Sequence, residues 1–174
     1  MRSSAALRQA LLRLLERKSF DQITVRDICA EAGVHYATFF RHYPGKEALL
    51  DVLAAEQIET LVGLTLPIKD EIGDRASFDA LCRYVEEHRA LWSVLFNGGA
   101  GATMRAEWLR RARIVAESHE PVASWLPKEL GTICSTSLIA ETVSWWLAQP
   151  VGAYSPGEVA GMLDRLVGAA TLVD

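Results

Sequence analysis

The stretch from Thr24 to Leu50, TVRDICAEAGVHYATFFRHYPGKEALL, restricts the possible folds of this chain more than any other. It reads as a short helix, a tight glycine turn, a second short helix and a proline stop that feeds a longer third. Thr24 is a good N-cap, because its hydroxyl can accept a backbone N–H of the first turn, and Asp27 three residues on completes a capping box. Val25, Ile28, Cys29 and Ala32 recur at helical spacing, so one face of the first helix is apolar. Gly33 falls where a helix end calls for a residue that tolerates positive φ. In the second helix, about His35 to Tyr43, Val34, Phe39 and Tyr43 make the buried seam. His35, Tyr36, Thr38, Arg41 and His42 are left outside. Pro44 ends it, since the residue before a proline is biased away from helix. A short helix that exposes donors, aromatic surface and positive charge suits the DNA major groove.

From about Leu7 to Leu53 the chain resembles the N-terminal DNA-binding domain of the tetracycline-repressor-like (TetR/AcrR) family of bacterial transcription regulators. The agreement lies in Thr24, Ile28, Cys29, Ala32, Gly33 and Val34, then in Thr38, His42, Tyr43, Pro44 and the run Lys46 to Leu50. Many positions agree at fixed spacing, a far more specific signal than a bare helix-turn-helix. The resemblance implies an all-α fold of about nine helices. It places a three-helix helix-turn-helix head at residues 1–46 and a larger effector-binding and dimerisation domain at 47–174. It implies that Arg26 touches DNA and that Tyr36, Ala37, Thr38 and Arg41 meet base edges and thymine methyls, with His35 beside them. His42 and Lys46 match phosphate contacts. Arg41 can fork to guanine O6 and N7 or stay a solvated charge. Phe40 stands where the family usually has tyrosine, and it lacks the hydroxyl that reaches a phosphate.

Charge agrees with that placement. The 174 residues carry a net charge of −4, yet residues 1–50 hold eight Lys or Arg against five acids. A modestly basic head on an acidic body directs a polyanion to one end. Half the residues are apolar and 23% charged, a globular composition. No apolar run reaches membrane-spanning length, and MRSSAALRQALLRLLER interrupts its apolar stretch with charge, so a cytoplasmic protein is expected. Cys29, Cys82 and Cys134 lie far apart and read as small buried hydrophobes, with neither a disulfide frame nor a metal site implied.

In chain order, residues 4–18 form an amphipathic helix on Leu7, Ala10, Leu11, Leu14 and Leu15, with Phe20 and Ile23 anchoring the link onward. Arg2 and Arg8 are expected to be free for phosphates. The next helix should run from Lys46 to about Leu64 on Leu49, Val52, Leu53, Leu61 and Leu64, leaving Glu56 and Glu59 wet. Pro67 should break it, with KDEIGDR as a loop. A helix restarts at Ser77 on Phe78, Leu81, Cys82 and Val85 and continues through His88 into an apolar segment ending at Phe96. Asn97 to Gly101 is a break. Ala102–Ser118 sets Met104, Trp108 and Val115 opposite Arg105, Arg110, Arg111 and Arg113, and Pro121 closes it. Two helices follow, about Pro127–Ala148 and Ser155–Leu172, the second opened by a Ser155/Glu158 capping box with Pro156 at its first position. Small residues such as Gly161 mark close helix packing.

In the resembled family the last two helices pair with their symmetry mates, which makes Leu138, Val143, Val159, Met162, Leu163 and Leu166 the expected dimer face. Packing inside one subunit would use the same pattern, but a palindrome reader needs two copies. Phe78, Trp92, Phe96, Met104, Trp108 and Trp145 would line an effector pocket, and each also fits ordinary core. His88 and His119 could be polar anchors, and no basic cluster there suits a phosphorylated effector. The expected function is a ligand-responsive transcriptional regulator, a repressor, that binds a palindromic double-stranded DNA operator as a homodimer. A small, largely apolar effector would alter its affinity. No cofactor and no catalytic residue is implied, since nucleophile elbow, phosphate loop and H-E-x-x-H are absent. The rival is an all-helical interaction module or small-molecule binder without sequence-specific DNA binding.

Overall fold

A computed structural model describes residues 2–98, 101–118 and 125–171. The expectations for His119, Pro121 and Leu172 lie outside the described residues. Among these there are nine α-helices, one 3₁₀ turn and no strand: α1 Arg2–Leu15, α2 Val25–Ala32, α3 Tyr36–His42, α4 Lys46–Glu71, α5 Asp74–Glu87, α6 Arg89–Asn97, α7 Gly101–Glu117, α8 Lys128–Ala148 and α9 Pro156–Thr171. The 3₁₀ turn, Phe20–Gln22, joins α1 to α2.

Local chemistry sets the boundaries of the first three helices. Leu7, Ala10 and Leu11 of α1 are fully enclosed, and Leu14 and Leu15 nearly so. They cover Ile28 and Cys29 of α2 and Phe39 of α3. At α9, Ser155 and Glu158 cap each other, with Ser155 N–H donating to Glu158 Oε2 at 2.8 Å and Glu158 N–H to Ser155 Oγ at 3.3 Å.

Beyond the head the structure departs from the expected boundaries. Pro67 does not break α4, which runs on to Glu71, so the expected loop shrinks to little more than Ile72 and Gly73. Proline lacks the N–H that would reach the Gly63 carbonyl, a local cost. The packing of α5 along α4 outweighs it, and Ser77 Oγ fastens the pair by donating to the Thr65 carbonyl at 3.0 Å. The core side of α4 is Leu49, Leu50, Leu53, Ala54, Ile58 and Leu61, whereas Val52 and Leu64 face solvent. α5 starts at Asp74, three residues earlier than expected.

The expected single helix from Ser77 to Phe96 is two, because the chain turns at His88 (φ −118°, ψ 30°). The turn lets Arg89 close the C-terminus of α8. Its guanidinium donates to the Trp146 and Gln149 carbonyls at 2.9 and 3.1 Å, lies 5.2 Å from the Trp146 ring centroid, and pairs with Glu86 at 2.8 Å. Arg105, expected on the outer side of α7, is a clasp to α8: it reaches Glu141 at 2.6 Å and the Phe96 and Gly101 carbonyls at 3.2 Å. Where α9 meets α5, the Arg75 guanidinium lies over Gly161, 2.8 Å from where a Cβ would sit, and Arg75 donates to the Gly157 carbonyl at 3.1 Å.

Candidate nucleic-acid interface

The head is assembled from short-range contacts that hold α3 outward. Thr24 Oγ1 accepts from Asp27 N–H at 3.1 Å while the Asp27 carboxylate accepts from Thr24 N–H at 2.9 Å, closing the capping box of α2. These bonds hold the Asp27 carboxyl below its ordinary value, because the ionised form is the better acceptor. At the other end Gly33 adopts φ +65°, ψ 33°. Its N–H reaches the Ala30 carbonyl at 3.2 Å and the Val34 N–H reaches Cys29 at 3.0 Å, the two bonds of a Schellman motif. The motif turns the chain sharply into α3. Phe39, wholly enclosed, pins α3 to the core, and Tyr43 leaves it in extended conformation (φ −139°, ψ 134°) ahead of Pro44.

On α3, Tyr36, Ala37, Phe40, Arg41 and His42 are exposed, as is the N-cap residue His35, while Thr38 is half-buried. Tyr36 and Phe40 contact each other one turn apart, ring centroids 5.1 Å, and Phe40 also leans on Phe39 at 5.3 Å. An Arg41 guanidinium nitrogen donates to Thr38 Oγ1 at 3.3 Å. Arg26 is exposed in the first turn of α2 and has no partner among the described residues.

The other head cations whose side chains are described are committed within the chain, and the expectation for the Arg2 side chain lies outside the description. Arg13 and Arg17 both pair with Glu31, at 2.6 and 3.3 Å, and Lys18 lies 3.7 Å from Asp27. Arg8, expected to be free for phosphate, is not: it pairs with Glu56 of α4 at 2.9 Å and donates to Ser4 Oγ at 2.7 Å, and Ser4 Oγ in turn lies 2.7 Å from the Tyr43 hydroxyl. Lys46 is equally occupied. Its ammonium donates to the Phe20 and Ile23 carbonyls at 2.9 Å and to Asp21 at 3.4 Å, and lies 4.6 Å from the Phe20 ring centroid. Among the described side chains, Arg26 and Arg41 are therefore the Lys or Arg cations that this surface leaves for an anion. No spacing rule signals the Arg8–Glu56 or Lys46 contacts, because the partners lie 48 and about 25 residues away.

In the body, Trp92, Phe96 and Trp108 form one aromatic cluster, with ring centroids 5.5 to 6.0 Å apart, and Tyr84 meets the edge of Trp92 at 6.3 Å. Phe78 and Met104 are buried in the same core. Trp145 is not among them. It is 41% exposed on the far side of α8, beside Tyr154 at 5.0 Å. There it borders an open apolar groove of about 880 Å³ between α8 and α9, with Cys134, Leu138, Met162, Arg165 and Leu166. Three of the residues expected on a dimer face, Val143, Val159 and Leu163, have no exposed surface. They belong to the subunit's own core, because α8, which carries Val143, packs against α6 and α7 while α9, which carries Val159 and Leu163, packs against α5 and α8, and helical period alone does not say which neighbour covers an apolar face.

A short helix projecting donors and rings from a Schellman-turned pair, on an all-α body, is the build of a helix-turn-helix regulator. Residues 7–53 match the family model for bacterial regulatory proteins, tetR family. The likeness to that family lies in the head, and the whole chain carries the fold of solved proteins described as its members. The fatty acid degradation regulator FadR from Bacillus halodurans superposes with a TM-score of 0.72 at 15% identity, over 95% of both chains. Thermus thermophilus FadR, a TetR-family repressor in complex with lauroyl-CoA, does so at 0.66 and 18%, over 98% of this chain and 96% of that one. A TetR transcriptional regulator from Streptococcus agalactiae gives 0.66 and 20%, over 95% and 93%. At these identities the likeness establishes the fold alone. No curated protein matches the sequence significantly. No helix among the described residues is long and apolar enough to cross a membrane.

Proposed function

We propose that this protein is a cytoplasmic, ligand-responsive transcriptional repressor that binds a palindromic operator as a homodimer. The observation that carries the reading is the outward face of α3, on which Tyr36, Ala37, Arg41 and His42 stay exposed while Phe39 anchors the helix. Residues 1–46 act as the reading head and 47–174 as the sensing and pairing body, with α4 as the lever between them. The apolar groove of Leu138, Trp145, Met162 and Leu166 is the face a second copy covers, setting two α3 helices about 34–36 Å apart for successive major grooves. A largely apolar effector, received near the Trp92–Phe96–Trp108 cluster, shifts α4 and weakens operator binding. Coupling of this kind is typically about 1–3 kcal/mol.

The test is gel retardation against the promoter region of the protein's own gene. Specific, palindrome-dependent retention that falls steeply with salt is expected. Arg41→Ala should weaken specific retention by about 1–3 kcal/mol while leaving nonspecific retention nearly unchanged. Equal losses would remove Arg41 from base reading, and absence of any specific retention would leave an all-helical binding module.

A further inference from the structure

The groove between α8 and α9 is apolar where Leu138, Trp145, Met162 and Leu166 line it. Two charged side chains border it, one from each helix: Glu141 of α8 and Arg165 of α9. They stand on opposite rims. α8 packs against α7, and Arg105 of that helix holds the Glu141 carboxylate at 2.6 and 3.3 Å. The contact fixes the carboxylate in place and still leaves the Glu141 side chain 63% exposed. α9 packs against α5, and Arg165 shares a smaller hollow of about 360 Å³ with Arg75 of that helix. Arg75 is engaged, with Asp79 at 3.3 Å and the Gly157 carbonyl at 3.1 Å. Arg165 is exposed and has no partner among the described residues. One rim of an apolar face thus carries an anchored carboxylate, and the other an unanswered guanidinium.

We propose that Arg165 pairs with Glu141 of the partner subunit, twice per dimer, and that this pair selects a second copy of this chain as the occupant of the groove. The proposal rests on the homodimer reading above and adds how the two copies are turned. In an isologous contact both copies present the same face about a two-fold axis. With the axis along the helices, α8 lies over the partner's α9, and each acidic rim meets a basic one. With the axis across them, α8 lies over α8, so carboxylate faces carboxylate and guanidinium faces guanidinium. Like charges set together are penalised, and the rims therefore favour the first arrangement. Apolar burial is non-directional and supplies affinity without choosing an orientation. The charge pattern at the rim chooses both orientation and partner, because a chain with a similar apolar face and other rim charges meets repulsion or an unpaired ion.

Sedimentation equilibrium of the full-length chain without DNA measures the pair. Arg165→Gln should raise the dimer dissociation constant about threefold to tenfold, the loss of two exposed ion pairs. Arg165→Glu and Glu141→Arg should each raise it by more than about tenfold, because each sets like charges together. Mixed in equal amounts, these two variants should form a heterodimer of nearly natural strength, since every rim then meets its opposite. If Glu141→Arg unfolds for want of its Arg105 contact, the two Arg165 variants still decide, together with the weakening of the natural dimer by added salt. Tighter pairing of Arg165→Gln would mean that α8 lies over α8, and it would overturn the inference. A dimer sensitive to Leu166→Glu but indifferent to both Arg165 variants removes the ion pair and leaves the homodimer. A natural chain that stays monomeric at every concentration removes the homodimer reading itself, and a dimer indifferent to Leu166→Glu removes this face.

Discussion

Lys46 shows how one side chain can serve a fold where its position suggests a ligand. Its ammonium closes three carbonyls of the link between α1 and α2. Hydrogen bonds to a charged donor each contribute about 1.5–3 kcal/mol, and a buried carbonyl stripped of its partner costs a comparable amount. Lys46→Ala should accordingly lower stability by about 2 kcal/mol in urea denaturation without DNA, beyond what loss of a phosphate contact produces. Asp27 gives the head a dependence on acid. Its carboxyl titrates below its ordinary value of 3.8, first because the Thr24 backbone N–H and then because the Thr24 hydroxyl favour the ionised form. The stability it adds is complete above that ordinary value and is lost as pH falls through the lower folded value. Melting temperature followed downward from pH 5 should show this loss, and Asp27→Asn should fall less steeply over the same window. Cys82 shows the opposite case, since burial pushes its thiol up to about 12 and keeps it inert at neutral pH.

At the scale of elements, α4 is the informative departure. Its 26 residues pass through Pro67 without ending. A proline in a helix interior costs about 3 kcal/mol relative to alanine, so the contacts α4 makes with α5 and α7 must exceed that locally. Pro67→Ala should raise stability by about 1–3 kcal/mol in chemical denaturation. An unchanged midpoint would mean that the proline is already accommodated without loss. The α5–α6 corner teaches the same lesson from the other direction. Nothing in the residues around His88 demands a turn, and the reason for one lies in the two carbonyls at the end of α8 that Arg89 closes.

For the whole molecule, the groove between α8 and α9 is the open apolar face on which the proposed pairing of two copies rests. Leu166 is 45% exposed there, with Leu138 and Met162 half-buried beside it. Leu166→Glu should shift the sedimentation profile toward monomer and weaken palindromic DNA far more than a half-site, while the melting behaviour of the monomer stays close to that of the natural chain. Val143→Ala, inside the core, should instead cost about 1.5–3 kcal/mol in stability and leave the oligomeric state alone. The head of this molecule was legible from its residues because its determinants are local. A cap and its partner lie three residues apart, the Schellman glycine closes bonds within six, and the enclosed leucines of α1 recur at helical spacing. The body was less legible. A helix such as α8 buries Val143 and Trp146 and exposes Trp145 only because of what packs against it. The destinations of Arg8, Lys46, Arg89 and Arg105 depend on acceptors 9 to 60 residues away. The sequence by itself determined an all-α chain and the outward face of α3, since capping, turn geometry and helical period act within a few residues. Only the tertiary structure decided which charges remain available, where α4 ends and which apolar face stays uncovered, because those outcomes depend on free-energy differences between groups that meet only once the chain is folded.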